Sequence, residues 1–160
     1  MPAILGGRPD PRIRRVYAAA PAPRHLPQRV VVAGGPGDAL AVFLHRLASA
    51  LDVPLVPLAD LSGPTEAARL AAFDGWVTTA DEAWARPLLL ERADVLVRAD
   101  LAAASFAGRV RRTLRRIRSD AREREPDLGW VDRAPAIHPR LSVVRLPDPD
   151  AAENWLRSLG

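Results

Sequence analysis

Between Gln28 and Leu51 the chain passes from a short apolar run through a glycine-rich turn into a helical pattern, and few folds accommodate that succession. Val30-Val31-Val32 is β-branched throughout and predicts a strand. Gly34-Gly35-Pro36-Gly37-Asp38 follows and cannot continue it. Leu40, Phe43, Leu44, Leu47 and Leu51 then recur at offsets of three and four, share one face and predict a helix. Strand, glycine-rich turn, helix is a setting in which backbone N–H groups and a helix N-terminus can converge on one anion.

A phosphate-binding loop that works needs G-x-x-x-x-G-K-[ST], with the lysine for the β/γ-phosphates and the hydroxyl for Mg²⁺. In this register Gly34 is the first glycine, and Gly35, Pro36, Gly37 and Asp38 fill the four variable places. Ala39 then stands where the second glycine belongs, Leu40 where the lysine belongs and Ala41 where the Ser/Thr belongs. All 23 basic residues are arginine, so the chain has no lysine to offer from elsewhere, for phosphate or for a Schiff base. Asp38 is placed to cap the helix, and a carboxylate there offsets the helix-end dipole that would attract phosphate. The frame is kept and the chemistry is not.

The run Val30-Val-Val-Ala-Gly-Gly-Pro-Gly, the helix ending Arg46-Leu-Ala-Ser-Ala-Leu-Asp-Val-Pro54 and the later Gly75-Trp-Val resemble the adenylate-kinase-like P-loop proteins. Among these the chain is most similar to the small bacterial topology modulation proteins. Glu91-Arg-Ala-Asp-Val-Leu-Val97, Arg111-Arg-Thr-Leu-Arg-Arg116 and Val143-Val-Arg-Leu with Asn154-Trp-Leu156 extend the resemblance over most of the chain from Arg29 onward. It implies a P-loop nucleotide-kinase fold, with arginines near nucleotide phosphates; Arg112, Arg115 and Arg116 fall in the matching run and are the phosphate-contact candidates. It also implies an acidic residue after the Gly75 strand, where this chain has Thr78, Thr79 and Ala80. The lid and extra helix expected between Glu125 and Pro139 are missing, and a lid is what excludes water during transfer.

Residues 1–28 hold Pro2, Pro9, Pro11, Pro21, Pro23 and Pro27 with Gly6, Gly7 and five arginines, which predicts a disordered tail or a misassigned start; residues 29–160 then form one domain. Val53 to Leu58 predicts a second strand, short or at an edge because of Pro54 and Pro57. Ser62 or Thr65 caps a short helix through Phe73, and Gly75 to Thr79 is the third strand. Asp81 to Arg92 is helical in pattern, kinked or divided at Pro87. Val95-Leu96-Val97 is the fourth strand. Asp100 reads as the cap of the next helix, or as a Walker-B-like acid whose companion ligand Ala41 cannot supply. A long helix from about Leu101 to Arg124 carries Phe106, Val110, Leu114 and Ile117 on one stripe and arginines elsewhere. Glu125 to Pro139 reads as a loop, Leu141 to Leu146 as the fifth strand, and Asp150 to Leu159 as a closing helix facing inward through Trp155, Leu156 and Leu159.

The length suits one domain with a real core. With no cysteine there is neither a disulfide framework nor a thiolate metal site, and His25, His45 and His138 stand apart from one another and from carboxylates at ligand spacing, so no metal site is expected. A net charge of +4 weakly favours an anionic ligand, nucleotide or nucleic acid. No apolar run reaches the roughly 20 residues of a membrane span, and a cytoplasmic protein without a membrane partner is expected.

Alternating strands and helices predict a three-layer α/β/α sandwich of P-loop nucleotide-kinase type, with a mainly parallel five-stranded sheet and the Val30 strand near its centre. Three functions are compatible with the residues. The favoured one is a protein of this fold without phosphotransferase activity, kept as a binding or interaction module. The second is an ATP-dependent small-molecule or nucleotide kinase in which Arg112 or Arg116 replaces the lysine. The third is an arginine-rich nucleic-acid-associated protein. Positioning and charge neutralisation carry nearly all phosphoryl-transfer catalysis, so Leu40 and Ala41 disfavour ATP with Mg²⁺ as a cofactor.

Overall fold

The computed structural model describes residues 16–17, 25–101 and 127–160. The valine run forms strand β2 (Arg29–Gly34), and its interior is wholly buried. That burial explains the unbroken apolar run: in a parallel sheet covered on both faces, no strand position alternates to water. β3 (Trp76–Thr79) pairs with one side of β2 and β4 (Val95–Ala99) with the other, both parallel. β5 (Ser142–Leu146) continues the parallel sheet beyond β4. Val16–Tyr17 (β1), inside the segment expected to be a tail, lies parallel against Val143 and Val144 of β5. The valine strand is therefore an interior strand, paired on both sides, in the order β1-β5-β4-β2-β3.

The segment from Val53 to Leu58 differs from expectation. It forms a single bridge, Leu55 to Val77, on the far side of β3, followed by a 3₁₀ turn at Leu58–Asp60. Val56 donates to the Val77 carbonyl and Val77 to the Pro54 carbonyl, both at 2.9 Å. Pro54 and Pro57 have no N–H to extend the ladder in either direction. The expected second strand is thus one rung long.

Side chains alternate between the sheet's two faces with period two. Val30 and Val32 of β2 join Val97 and Val144 on one face, beneath α1 (Asp38–Leu51) and α5 (Pro149–Leu159). Val31 and Ala33 join Leu96 and Val143 on the other, beneath α2 (Pro64–Ala72), α3 (Arg86–Leu90) and α4 (Gly129–Ile137). Leu40, Phe43, Leu47 and Leu51 of α1 are buried as the stripe predicted, and so are Trp155, Leu156 and Leu159 of α5. Phe43 and Trp155 meet across the two helices with ring centroids 6.4 Å apart. A buried side chain of this kind contributes about 1.5–3 kcal/mol. At the opposite end of the sheet Asp94 ties β2 to β4, accepting from the backbone N–H of Gln28 and Arg29 at 3.0 and 2.9 Å.

Two further expectations are corrected. The segment Asp81 to Arg92 is helical only over Arg86–Leu90, with Pro87 in the first turn, where its missing N–H costs nothing, so it starts the helix rather than kinking it. Gly129–Ile137, expected to be loop, is helix α4 despite Pro135, because Trp130, Val131 and Ala134 bury themselves against the sheet. The long helix expected from Leu101 to Arg124 lies outside the described residues from position 102 onward. Among the described residues no helix is long and apolar enough to cross a membrane.

Candidate functional site

β2 ends at Gly34 and α1 begins at Asp38, so Gly35, Pro36 and Gly37 make the whole turn, and all three are exposed. The turn lies at the carboxyl end of β2, an interior strand of the sheet. β3 and β4 lie on opposite sides of it, and the helices that follow β2 and β3 cover opposite faces. That is a topological switch point, where open α/β sheets bind ligands.

Each glycine at its two ends has its own reason. A Cβ on Gly34 would stand 2.7 Å from the Ala99 carbonyl oxygen of β4 and 3.3 Å from Leu40 Cδ1. The close approach is therefore strand against strand, and it needs no ligand to explain it. Gly37 has φ +153°, a conformation side chains rarely adopt, with open space around it.

Gly37, not Asp38, occupies the cap position of α1, and no side chain caps the helix there. Asp38 is the first helical residue, its carboxylate in the first turn. The Gly37 carbonyl accepts from Ala41 N–H at 3.2 Å, so the helix is already closed across the last four places of the phosphate-loop register. Ala39 and Ala41 face solvent, whereas Leu40 is 9% exposed and packs among Val30, Val32 and Leu47. The place that a phosphate lysine would take points into the core. The exposed N–H groups of this turn can hold an anion weakly, but Asp38 opposes it and neither Leu40 nor Ala41 adds a charge or a hydroxyl.

Beside the first turn of α1 a groove of about 340 Å³ runs between α1 and α5, lined by Val42, Phe43, Leu101 and Leu156. Its rim carries a fork-to-fork ion pair, Arg46 Nη1 to Glu153 Oε2 at 2.6 Å and Nη2 to Oε1 at 3.0 Å. The hydrogen bond from Arg46 holds the Glu153 carboxyl below the usual glutamate range, and the same bond raises Arg46.

Arg112, Arg115 and Arg116 lie outside the described residues. The structure does reveal arginines that the sequence reading passed over. Arg98 of β4 and Arg145 of β5 are register partners and share the carboxylate of Asp132 on α4. Their signal was present: each arginine follows an apolar strand run, in Val95-Leu-Val-Arg98 and Val143-Val-Arg145. Arg86 donates to the Ala80 and Asp81 carbonyls at 3.0 Å each and lies 4.5 Å from the centre of the Trp130 ring. Nothing in the sequence announced that contact. Among the described residues no three His, Asp or Glu side chains converge as metal ligands.

In comparisons with known proteins, no family model, curated protein or solved structure matches this chain.

Proposed function

We propose that this chain is a degenerate adenylate-kinase-like P-loop protein that does not transfer phosphoryl groups and serves as a binding or interaction module. The observation that carries the reading is Leu40. A strand, a glycine-rich turn and a helix follow one another at the switch point of a parallel sheet, yet Leu40, which takes the lysine place when the motif is laid on this turn, is committed to the hydrophobic core. A residue that supplies only packing cannot neutralise charge on a transferring phosphate. Removing a preorganised charge of this kind costs about 3–4 kcal/mol of transition-state stabilisation. A cytoplasmic location belongs to the same proposal.

Calorimetry with ATP, with and without Mg²⁺, tests it on the full chain, together with an assay for ATP turnover. Absence of turnover and of any ATP binding that Mg²⁺ strengthens is the expected result. Micromolar binding that strengthens with Mg²⁺ would overturn it and would move attention to Arg112 and Arg116, the two candidates for replacing the lysine.

A further inference from the structure

The second feature at the carboxyl end of the sheet lies on the face opposite α1. Arg98 is the register partner of both Ala33 on β2 and Arg145 on β5. This row is one residue short of Gly34, Ala99 and Leu146, so the two arginines stand just below the edge at which β2 turns. Leu96 and Val143 belong to the core under α2, α3 and α4, and Arg98 and Arg145, two residues further on, project from the same face. Their side chains are 34% and 35% exposed, half-buried but open to solvent.

Only one acid answers them among the described residues. Asp132 places Oδ2 3.7 Å from Arg98 Nη1 and sets Oδ1 against Arg145 Nη2, one oxygen to each guanidinium. Among the described residues two cations therefore share one half-exposed anion, an excess of positive charge at this place. Each guanidinium has five N–H donors in a planar fork, and a single carboxylate oxygen uses few of them. Arg145 Nε is buried and has no acceptor among the described residues. Arg86 is not part of this arrangement, since its Nε and Nη2 already donate to backbone carbonyls. A polar group buried without a partner calls for an explanation, and an absent anion or water is one.

We propose that Arg98 and Arg145 form an anion site for the phosphate group of a small phosphorylated molecule, with Asp132 as the resident counter-ion that the ligand displaces. A phosphate group offers three terminal oxygens, enough to meet both forks at once, which a carboxylate in Asp132's position does not. Displacement leaves the two cations compensated and returns the Asp132 carboxylate to water, where half of its surface already is. The site differs from the turn at Gly34–Asp38 and does not depend on that turn binding anything.

Pyrophosphate is the probe, titrated into the full chain and followed by calorimetry and by the guanidinium Nε–H signals in ¹H–¹⁵N spectra. Saturable binding that moves the Arg145 and Arg98 signals is expected. Arg98→Gln leaves the Arg145–Asp132 pair in place, so the chain should keep its melting temperature yet bind at least about ten-fold more weakly. Asp132→Asn removes the competitor and should tighten binding about five-fold. No saturable binding overturns the proposal, and so does binding that a folded Arg98→Gln protein retains, which would assign the anion to another surface. If Asp132→Asn fails to fold, the Arg98→Gln comparison still decides. The Arg98→Gln comparison also separates this site from the turn: binding of pyrophosphate or ATP that Arg98→Gln weakens belongs to the arginine pair, and ATP binding that it leaves intact and Mg²⁺ strengthens belongs to Gly34–Asp38.

Discussion

Leu40→Lys restores the lysine of the phosphate-loop motif on paper, and the structure says it will damage the protein without creating a nucleotide site. Leu40 is 9% exposed within the core cluster beneath α1. Taking that side chain out of the core forfeits about 1.5–3 kcal/mol of burial. The lysine that replaces it can carry its ammonium toward water along its apolar stem, so the full penalty of a buried charge does not apply. It does put a cation in the first turn of a helix, against the dipole, which costs a further 0.3–1 kcal/mol or so. The sum is about 2–4 kcal/mol, or roughly 5–15 °C in melting temperature for a domain of this size. Leu40→Met, which conserves volume, should cost less than about 1.5 kcal/mol and separates loss of packing from gain of charge. Thermal unfolding by circular dichroism reads the first effect and ATP calorimetry the second. A Leu40→Lys protein that melts with the wild type and binds ATP would refute the reasoning, for it would mean that position 40 reaches the turn.

Gly34→Ala places a Cβ 2.7 Å from the Ala99 carbonyl oxygen, which is backbone and cannot rotate away, so β2 and β4 must shift at a cost of about 1–3 kcal/mol in chemical unfolding. Gly35→Ala, at an exposed position of the same turn, serves as the control. The acid limb of stability should depend on Glu153 and Glu66, whose pKa values are lowered in the fold by the Arg46 hydrogen bond and by the Ser62 backbone N–H respectively. A carboxyl lowered on folding adds stability above its unfolded pKa and loses it as pH falls through the folded value. Melting temperature should therefore drop between about pH 5 and pH 3, and Arg46→Gln should flatten the Glu153 share of that drop. An Arg46→Gln protein with the wild-type acid slope would count against the pairing.

The parts of the fold that were legible are those where one residue type answers one demand. The valines of β2 and the stripe from Leu40 to Leu51 were read correctly because burial on both sheet faces and on one helix face leaves no other pattern. Proline was read in the right direction at one place and the wrong one at another. At Val53 to Leu58 two prolines cut a strand to one rung. At Gly129–Ile137 Pro135 did not prevent a helix, because one missing backbone bond is offset by three buried apolar side chains, Trp130, Val131 and Ala134. Asp38 was expected to cap α1, but the helix starts one residue earlier than that role requires, with Gly37 taking the cap. The arginine pair is not visible in the apolar positions that mark a strand, because a charged residue in phase with them belongs to the same face without adding to the pattern.

Leu40 carries two readings that cannot both hold. Counted as a stripe residue it belongs to the core; counted as the seventh place of the loop motif it should meet a phosphate. Its burial sides with the stripe, and the neighbouring geometry agrees with that choice. Gly34 is small because β4 approaches it, not because a ligand does, and Gly37 adopts its backbone conformation with nothing pressing on it. Every constraint that shapes this turn can thus be met by folding alone: β2 must stop, the chain must reverse onto the sheet face, and α1 must start with its stripe inward. A turn under those demands would keep its glycines after losing any phosphate chemistry it had. The glycines of the motif therefore say little about nucleotide binding in this chain, and the side chains at positions 40 and 41 say a great deal.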